Sequence, residues 1–362
     1  MNEFETKQSR ILDLLAGHRL DGLLLQRVSS FAWATCGANS AVNMASTNGA
    51  ASLLVTPTGR HLLTNNLEAA RLEEEEGLAA QGWQFHVTPW YERDETVARL
   101  TAGLRFGADG PYPGAADLSA EIARLRSRLT PEEQDRIAIL SADCALAVAR
   151  TALATAPGQT EQEISARLAW EAMRLGMTPI IVIAAADERI SRYRHALPTG
   201  KQVGRYLMLV LNGRRQGLIG SVTRFVHFGP LSDELKRAHE FTGLLFDQLM
   251  AATRPGVPLG EVLALAQSAY AQADTPDAWR EHHQGGAAGY EPREFFVTPG
   301  MTETVVPGQA FVWNPSLDGA RSADTFIVGE AENRIISHCA EWPMDAFEVA
   351  GRPVRRPAVL IR

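Results

Sequence analysis

Five segments of the 362-residue chain gather residue types that move protons or hold anions: RYRHALPTG (192–200), LNGRRQGLIGSVTR (211–224), HHQGGAAGYEPRE (282–294), VWNPS (312–316) and RSADT (321–325). They lie at the ends of apolar runs, where a rigid strand presents side chains to a pocket. His195 is the first candidate for proton transfer, because an imidazole titrates near neutral pH. In the pair His282–His283 only one ring is expected to be functional, since consecutive side chains on a strand point to opposite faces. Tyr290 can donate a hydrogen bond to a carbonyl oxygen, and Glu291 can orient His283 or take a second proton. Arg192, Arg194, Arg224, Arg293 and Arg321 outnumber Glu291, Glu294 and Asp324 in these segments. Guanidinium forks suit carboxylates or phosphates, so a small anionic or zwitterionic substrate is expected. The run GGAAG lacks the strand-then-helix setting of a phosphate loop and reads as a turn or a place where backbone nears a ligand.

The elements that must position these residues fall into two parts. Up to about residue 125, helix-like and strand-like segments alternate. Ile11, Leu12, Leu14 and Leu15 mark an amphipathic helix, and GLLLQ (22–26), ASLLVT (51–56) and HLLT (61–64) read as strands. SSFAWATCGANSAVNMASTNG (29–49) reads as loop, LEAARLEEEEGLAAQG (67–82) as a helix ending at glycine, and GADGPYPG (107–114) as a turn-rich loop. The boundary falls near LRSRLTPEEQDRI, where Thr130 caps a helix whose first residue is Pro131. We divide the chain into domains 1–128 and 129–362 on this basis.

The second part opens with helices. Thr160 and Glu163 form a capping box, after which Ile164, Leu168, Ala172 and Leu175 share a face and Gly176 ends the helix. TAPGQTEQEI (155–164) repeats as TRPGVPLGEV (253–262) at an offset of 98 residues, matching Thr155 with Thr253, Pro157 with Pro255 and Gly158 with Gly256. Strand-like runs follow each copy: YLMLVLN (206–212) and TRFVHFG (223–229), then QAFVWNP (309–315) and DTFIVGE (324–330). The pattern predicts a duplicated α+β half-domain around a central site.

Composition narrows the class. At 45% apolar and 21% charged the chain is of the folded rather than the disordered kind. A net charge of −7 without a long basic run argues against nucleic acid as the main partner. No uninterrupted apolar run approaches the ~18 residues of a membrane span. The N-terminus is charged from its third residue, unlike a secretory signal. Three distant cysteines (Cys36, Cys144, Cys339) fit neither a disulfide framework nor a thiolate zinc site, and favour a cytoplasmic location.

The order of segments resembles the M24 family of Xaa-Pro aminopeptidases, prolidases and creatinase. The resemblance implies an N-terminal α/β domain of the creatinase/prolidase type followed by a duplicated α+β pita-bread domain. It implies a homodimer in which the N-terminal domain of one subunit closes the pocket of the other, with Trp33 and Asn43 as candidate contacts. Family peptidases hold two divalent metals with two Asp, one His and two Glu. The matching positions here are Asn212 (before Gly213), Ser221 (before Thr223–Arg224), His283, Asn314 and Ala323 (before Asp324), so only the histidine remains. Tyr290 stands where the family has its second histidine, before Glu291–Pro292. Adjacent dications need anionic oxygens to offset their repulsion, which amide, hydroxyl and methyl groups do not supply. No metal and no other cofactor is therefore expected.

Creatinase, which works without metal, has an acid/base histidine 17 residues before the first of these positions, and His195 lies 17 residues before Asn212. Thr223, Ser322 and Ala323 stand where that enzyme grips a guanidinium with acids, which argues against creatine itself. The sequence thus predicts a metal-independent hydrolase of a C–N bond in a small carboxylate-bearing amide or amidine-like substrate. His195 is its acid/base; His283 and Tyr290 polarise the scissile group, and Glu291 supports His283. Asn212, Ser221 and Asn314 orient the substrate, and Arg224 and Arg321 hold its carboxylate beside Asp324, Arg192 and Arg194. The alternatives are a non-catalytic peptide- or protein-binding module and a single-metal peptidase that uses His283 with Glu291 or Asp324.

Overall fold

The computed structural model describes residues 2–92, 95–349 and 352–362. The chain forms two compact units, Met1–Arg126 with Gln216–Leu218, and Ser127–Arg215 with Ile219–Arg362.

In the first unit Asn2 caps the helix Glu3–His18, and Lys7, Ile11 and Leu15 form its buried stripe while Leu12 is exposed. The mixed sheet runs in the order Gln84–Thr88, Gly59–Asn65, Asn48–Thr56, Gly22–Arg27, Phe106–Ala108, Ala116–Asp117. Three local expectations change. Val28–Ala34, read as loop from its small residues, is a helix with every residue buried, because small side chains let it sink into the core. Within 67–82 only Ala69–Glu74 is helical: four consecutive glutamates repel one another, and Gly77 turns the chain at φ +66°. Gly107 and Ala108 extend into a strand parallel to Gly22–Arg27.

The second unit carries the repeat in its backbone. Helices Pro131–Ala154 and Asp233–Ala252 end at Thr155 and Thr253, and the 14-residue helices Glu161–Arg174 and Leu259–Gln272 follow at the same 98-residue offset. In each copy the turn glycine has positive φ and donates to a later strand segment, Gly158 to Val203 O and Gly256 to Val305 O. Thr160 with Glu163 forms the predicted capping box, and Glu133 completes the predicted Thr130 cap into a second one. Pro131–Ala154 has the length and composition of a membrane span, yet more than half of its most apolar stretch is buried inside the protein, as a core helix requires.

One sheet serves both halves, in the order Phe295–Phe296, Gly285–Ala288, Ala310–Trp313, Asp324–Ile327, Leu218–His227, Tyr206–Arg215, Thr178–Ala186. GGAAG is thus strand rather than turn. Gly285 has φ +137°, and a Cβ there would lie 2.3 Å from Val312 O, so only glycine fits.

The halves meet where Asp324 pairs with Val222. Beside that pair Thr325 Oγ1 accepts from Ser221 N–H (3.0 Å) and donates to Ser221 O (2.9 Å). The Asp324 carboxylate accepts from Arg224 (2.8 Å), Arg356 (2.7 Å) and Ser337 Oγ (2.7 Å), all buried. Burial alone would raise its pKa, but the two guanidiniums hold it below the usual carboxylate value. We expect Asp324→Asn to cost about 3–5 kcal/mol by leaving buried guanidiniums short of a counter-charge. Chemical denaturation checks this. Because the folded-state pKa is depressed, the contribution exists above pH ~4 and fades as pH falls further, so mutant and wild type converge in acid.

Candidate functional site

Strand alternation selects the side chains that face a cavity of about 340 Å³ in the second unit. On Ala310–Trp313, Phe311 and Trp313 pack into the core built on Asp233–Ala252 and Leu259–Gln272, so Val312 and then Asn314 face the cavity. Val210 and Asn212 come from Tyr206–Arg215, and Ile181 and Ile183 from Thr178–Ala186. All five positions that the family resemblance aligns with metal ligands, Asn212, Ser221, His283, Asn314 and Ala323, line this one space.

Three imidazoles meet there. One ring nitrogen each of His195, His282 and His283 lies within 4.8 Å of the others. The expectation that His282 and His283 present their rings to opposite faces is overturned. The pair precedes the strand Gly285–Ala288 rather than lying in it, and both rings line the cavity with centroids 4.5 Å apart. His282 was missed for that reason, since no sequence pattern reports a bend between adjacent residues. Burial, then Arg321 and neighbouring cations, pushes His282 down to about 2; burial and Arg293 push His283 down to about 3. His195, more open, is lowered by burial and by Arg321. Buried His282 and partly buried His283 are therefore neutral at physiological pH.

Arg293 and Arg321 face the same space. Arg293 donates to Asn314 Oδ1 (2.7 Å) and to Pro292 O (2.5 Å), and Arg321 donates to Arg194 O (2.8 Å). Among the described residues no carboxylate pairs with either, and the Nε of each is buried without a partner. Burial lowers Arg293 to about 9, with Arg321 adding to it, and burial and Arg194 lower Arg321 to about 10. Five buried polar atoms of this cavity lack partners: Ser221 Oγ, His282 Nε2, His283 Nδ1, Arg293 Nε and Arg321 Nε. All five are donors or can be donors by hydroxyl rotation or tautomer choice, and Ile181, Ile183, Val210, Val222 and Val312 supply an apolar wall. The arrangement suits a small anion with an apolar flank.

Other expected site residues lie elsewhere. Arg224 does not face a ligand, because Asp324 and two backbone carbonyls occupy its guanidinium, and Asp324 is likewise committed. Both line a separate cavity behind the strand, with Arg356. Tyr290 is buried with its hydroxyl donated to Glu133 (2.6 Å), outside the cavity lining. Glu291 also lies outside the lining, where its charge acts on Arg214. Arg192 is exposed over the Tyr193 ring, and Arg194 pairs with Glu281. Trp33 is wholly buried in the first unit, which removes it as a ligand contact, and exposed Asn43 folds its side chain back onto Ala45 N–H. Arg293 takes the place expected of Arg224; its adjacency to Glu291–Pro292 was the only hint.

A family-type metal pair does not fit these residues. The aligned positions offer two amides, a hydroxyl, an imidazole and a methyl, with no carboxylate, and two guanidiniums stand beside them. The three histidines could by number hold one ion, but the adjacent guanidiniums oppose a dication.

A family model described as metallopeptidase family M24 matches residues 136–330. A comparison with curated proteins finds no match. Among solved structures, an Xaa-Pro dipeptidase from Bacillus anthracis is similar at 18% identity, covering 99% of this chain and 100% of its own, with a TM-score of 0.80. A prolidase from Pyrococcus horikoshii is 17% identical over 92% of this chain and 98% of its own, with a TM-score of 0.78. The N-terminal domain of a FACT complex subunit from Cicer arietinum is 12% identical over 93% of this chain and 96% of its own, with a TM-score of 0.70.

Two unpaired buried guanidiniums make a direct prediction. A small carboxylate such as acetate, at about five times its Kd, adds roughly 1 kcal/mol of stability. Thermal melts at matched ionic strength should then rise by about 2–4 °C over chloride, and Arg293→Met or Arg321→Met should abolish the difference.

Proposed function

Since the chain belongs to metallopeptidase family M24, a family of hydrolases of peptide-like bonds, we propose that it hydrolyses a C–N bond in a small carboxylate-bearing amide or amidine-like substrate without the family's metal pair. One observation carries this reading: the cavity that collects the five aligned positions is lined by amide, hydroxyl, imidazole and guanidinium groups, with no carboxylate. The substrate carboxylate would rest on Arg293 and Arg321, whose charge it would neutralise. His195, the most open of the three rings, would take a proton from the attacking water as the oxygen adds to the carbon of the C–N bond. It would return that proton to the leaving nitrogen as the bond breaks. Asn212 and Ser221 would orient the group under attack, and the apolar wall would limit competing water.

Protein purified without chelator should carry less than a tenth of an equivalent of transition metal, measured by plasma mass spectrometry. Turnover, followed as amine release from a panel of small amides, should survive EDTA. His195→Ala should lower kcat by roughly 10²-fold or more with little change in KM. Undiminished kcat in that variant would remove His195 from the role.

The pH dependence has a definite sign. His195 must be neutral to accept a proton, and its pKa lies below the ordinary 6.5. The rate should therefore be flat above that pH and decline only as pH falls further, a limb that kcat/KM profiles would locate. A limb above pH 7 would contradict the assignment.

A non-catalytic peptide-binding module is the competing reading, supported by the likeness to the FACT subunit domain. Saturable peptide binding through Arg293 and Arg321, with no amine release from the whole amide panel, would favour it.

A further inference from the structure

Asn314 stands between Arg293 and the histidine cluster, and its partners leave its amide no choice of orientation. On one side is a guanidinium, which only donates, 2.7 Å from Oδ1; on the other is the His283 backbone carbonyl, which only accepts, 2.5 Å from Nδ2. Exchanging oxygen and nitrogen would break both contacts, so Nδ2 faces His283 O. The same Nδ2 lies 3.1 Å from His282 Nδ1. An amide nitrogen cannot accept, so His282 Nδ1 must, and a neutral imidazole that accepts on one nitrogen carries its proton on the other. His282 Nε2 is buried, has no partner among the described residues, and belongs to a ring only 7% exposed that lines the cavity.

We infer that Asn314 is a positioning residue that holds His282 as the Nε2–H tautomer, making the three-histidine cluster a hydrogen-bond donor to an oxyanion and closing it to metal ions. A metal ligand needs a lone pair on the coordinating nitrogen, and His282 presents a proton instead. Accepting at Nδ1 already requires the neutral ring, so the tautomer follows from the hydrogen bond itself. Arg293 and Arg321 bring positive charge to the same space, so an anionic oxygen gains from three donors at once. The ligand class that follows is a carboxylate or an anionic carbonyl-derived oxygen. This deepens the hydrolase reading by naming the group that meets the oxyanion, although the tautomer itself holds whether or not the protein turns over.

The experiment uses the full chain with ¹⁵N-labelled histidine. Long-range ¹H–¹⁵N correlation at pH 7, with His282 assigned by loss of its signals in His282→Gln, should give the Nε2–H pattern. Added sodium acetate should shift the His282 Nε2–H resonance. In Asn314→Asp the new carboxylate can only accept, so His282 must protonate Nδ1 and free Nε2. That variant should bind zinc at least tenfold more tightly than wild type in equilibrium dialysis. A wild-type Nδ1–H pattern overturns the inference. So does stoichiometric zinc on wild type that His282→Ala removes, or an Asn314→Asp variant that shows no gain in zinc affinity. Should Asn314→Asp fail to fold, the wild-type spectrum still decides. An Nε2–H spectrum without any amide turnover would leave the tautomer standing and count against the hydrolase alone.

Discussion

The second unit depends on a seam only one residue pair wide. Its two halves share a continuous sheet, yet the strands that join them meet at Asp324 and Val222, and side chains complete what the backbone leaves short. Thr325 supplies both a donor and an acceptor to Ser221, while Asp324 draws two guanidiniums and a serine hydroxyl onto one carboxylate. Burying such charges is tolerable because the carboxylate meets two opposite charges and a hydroxyl donor at once. The cavity lies across this seam. Asn212 and Ser221 reach it from one half, and His283, Asn314 and Arg321 from the other. Whatever holds the halves in register therefore also sets the distances among the polar groups of the site.

Charge accounts for the difference between this site and a dinuclear centre in the same fold. A dication pair requires anionic oxygens from the protein, whereas an anionic substrate in a cavity without them can rest on fixed guanidiniums. Here the positions aligned with metal-binding acids carry neutral groups, and the positive charge resides on fixed guanidiniums. Burial first, and then the charge of the neighbouring guanidiniums, holds His282 and His283 below the ordinary imidazole value. The energetic burden of two guanidiniums that lack a carboxylate partner among the described residues is the kind of local instability that binding sites retain because the ligand relieves it.

Much of the architecture was legible along the chain. The Thr130 and Thr160 caps, the paired Pro-Gly turns and the apolar runs after them depend on interactions between near neighbours, and these operate the same way in any context. Where burial competes with local preference, sequence reasoning failed. Val28–Ala34 has loop-like composition but gains more from packing than from solvent, and GGAAG enters a sheet because neighbouring strands leave no room for side chains. The site showed the same division. The places of His195, His283, Asn212, Ser221 and Asn314 at the cavity followed from motif position and that of Arg321 from its polar segment, whereas Arg224 and Tyr290 were misplaced because their partners, Asp324 and Glu133, lie 100 and 157 residues away in sequence.

The amino-acid sequence by itself determined the duplication and the helix starts at Thr130 and Thr160, since spacing and residue type suffice for each. Only the tertiary structure decided which arginines keep a free charge, that both adjacent histidines face the cavity, and which nitrogen of His282 bears the proton. Those are properties of contacts between distant segments, set by the electrostatics and hydrogen-bond geometry of a shared interior that no local stretch of chain specifies.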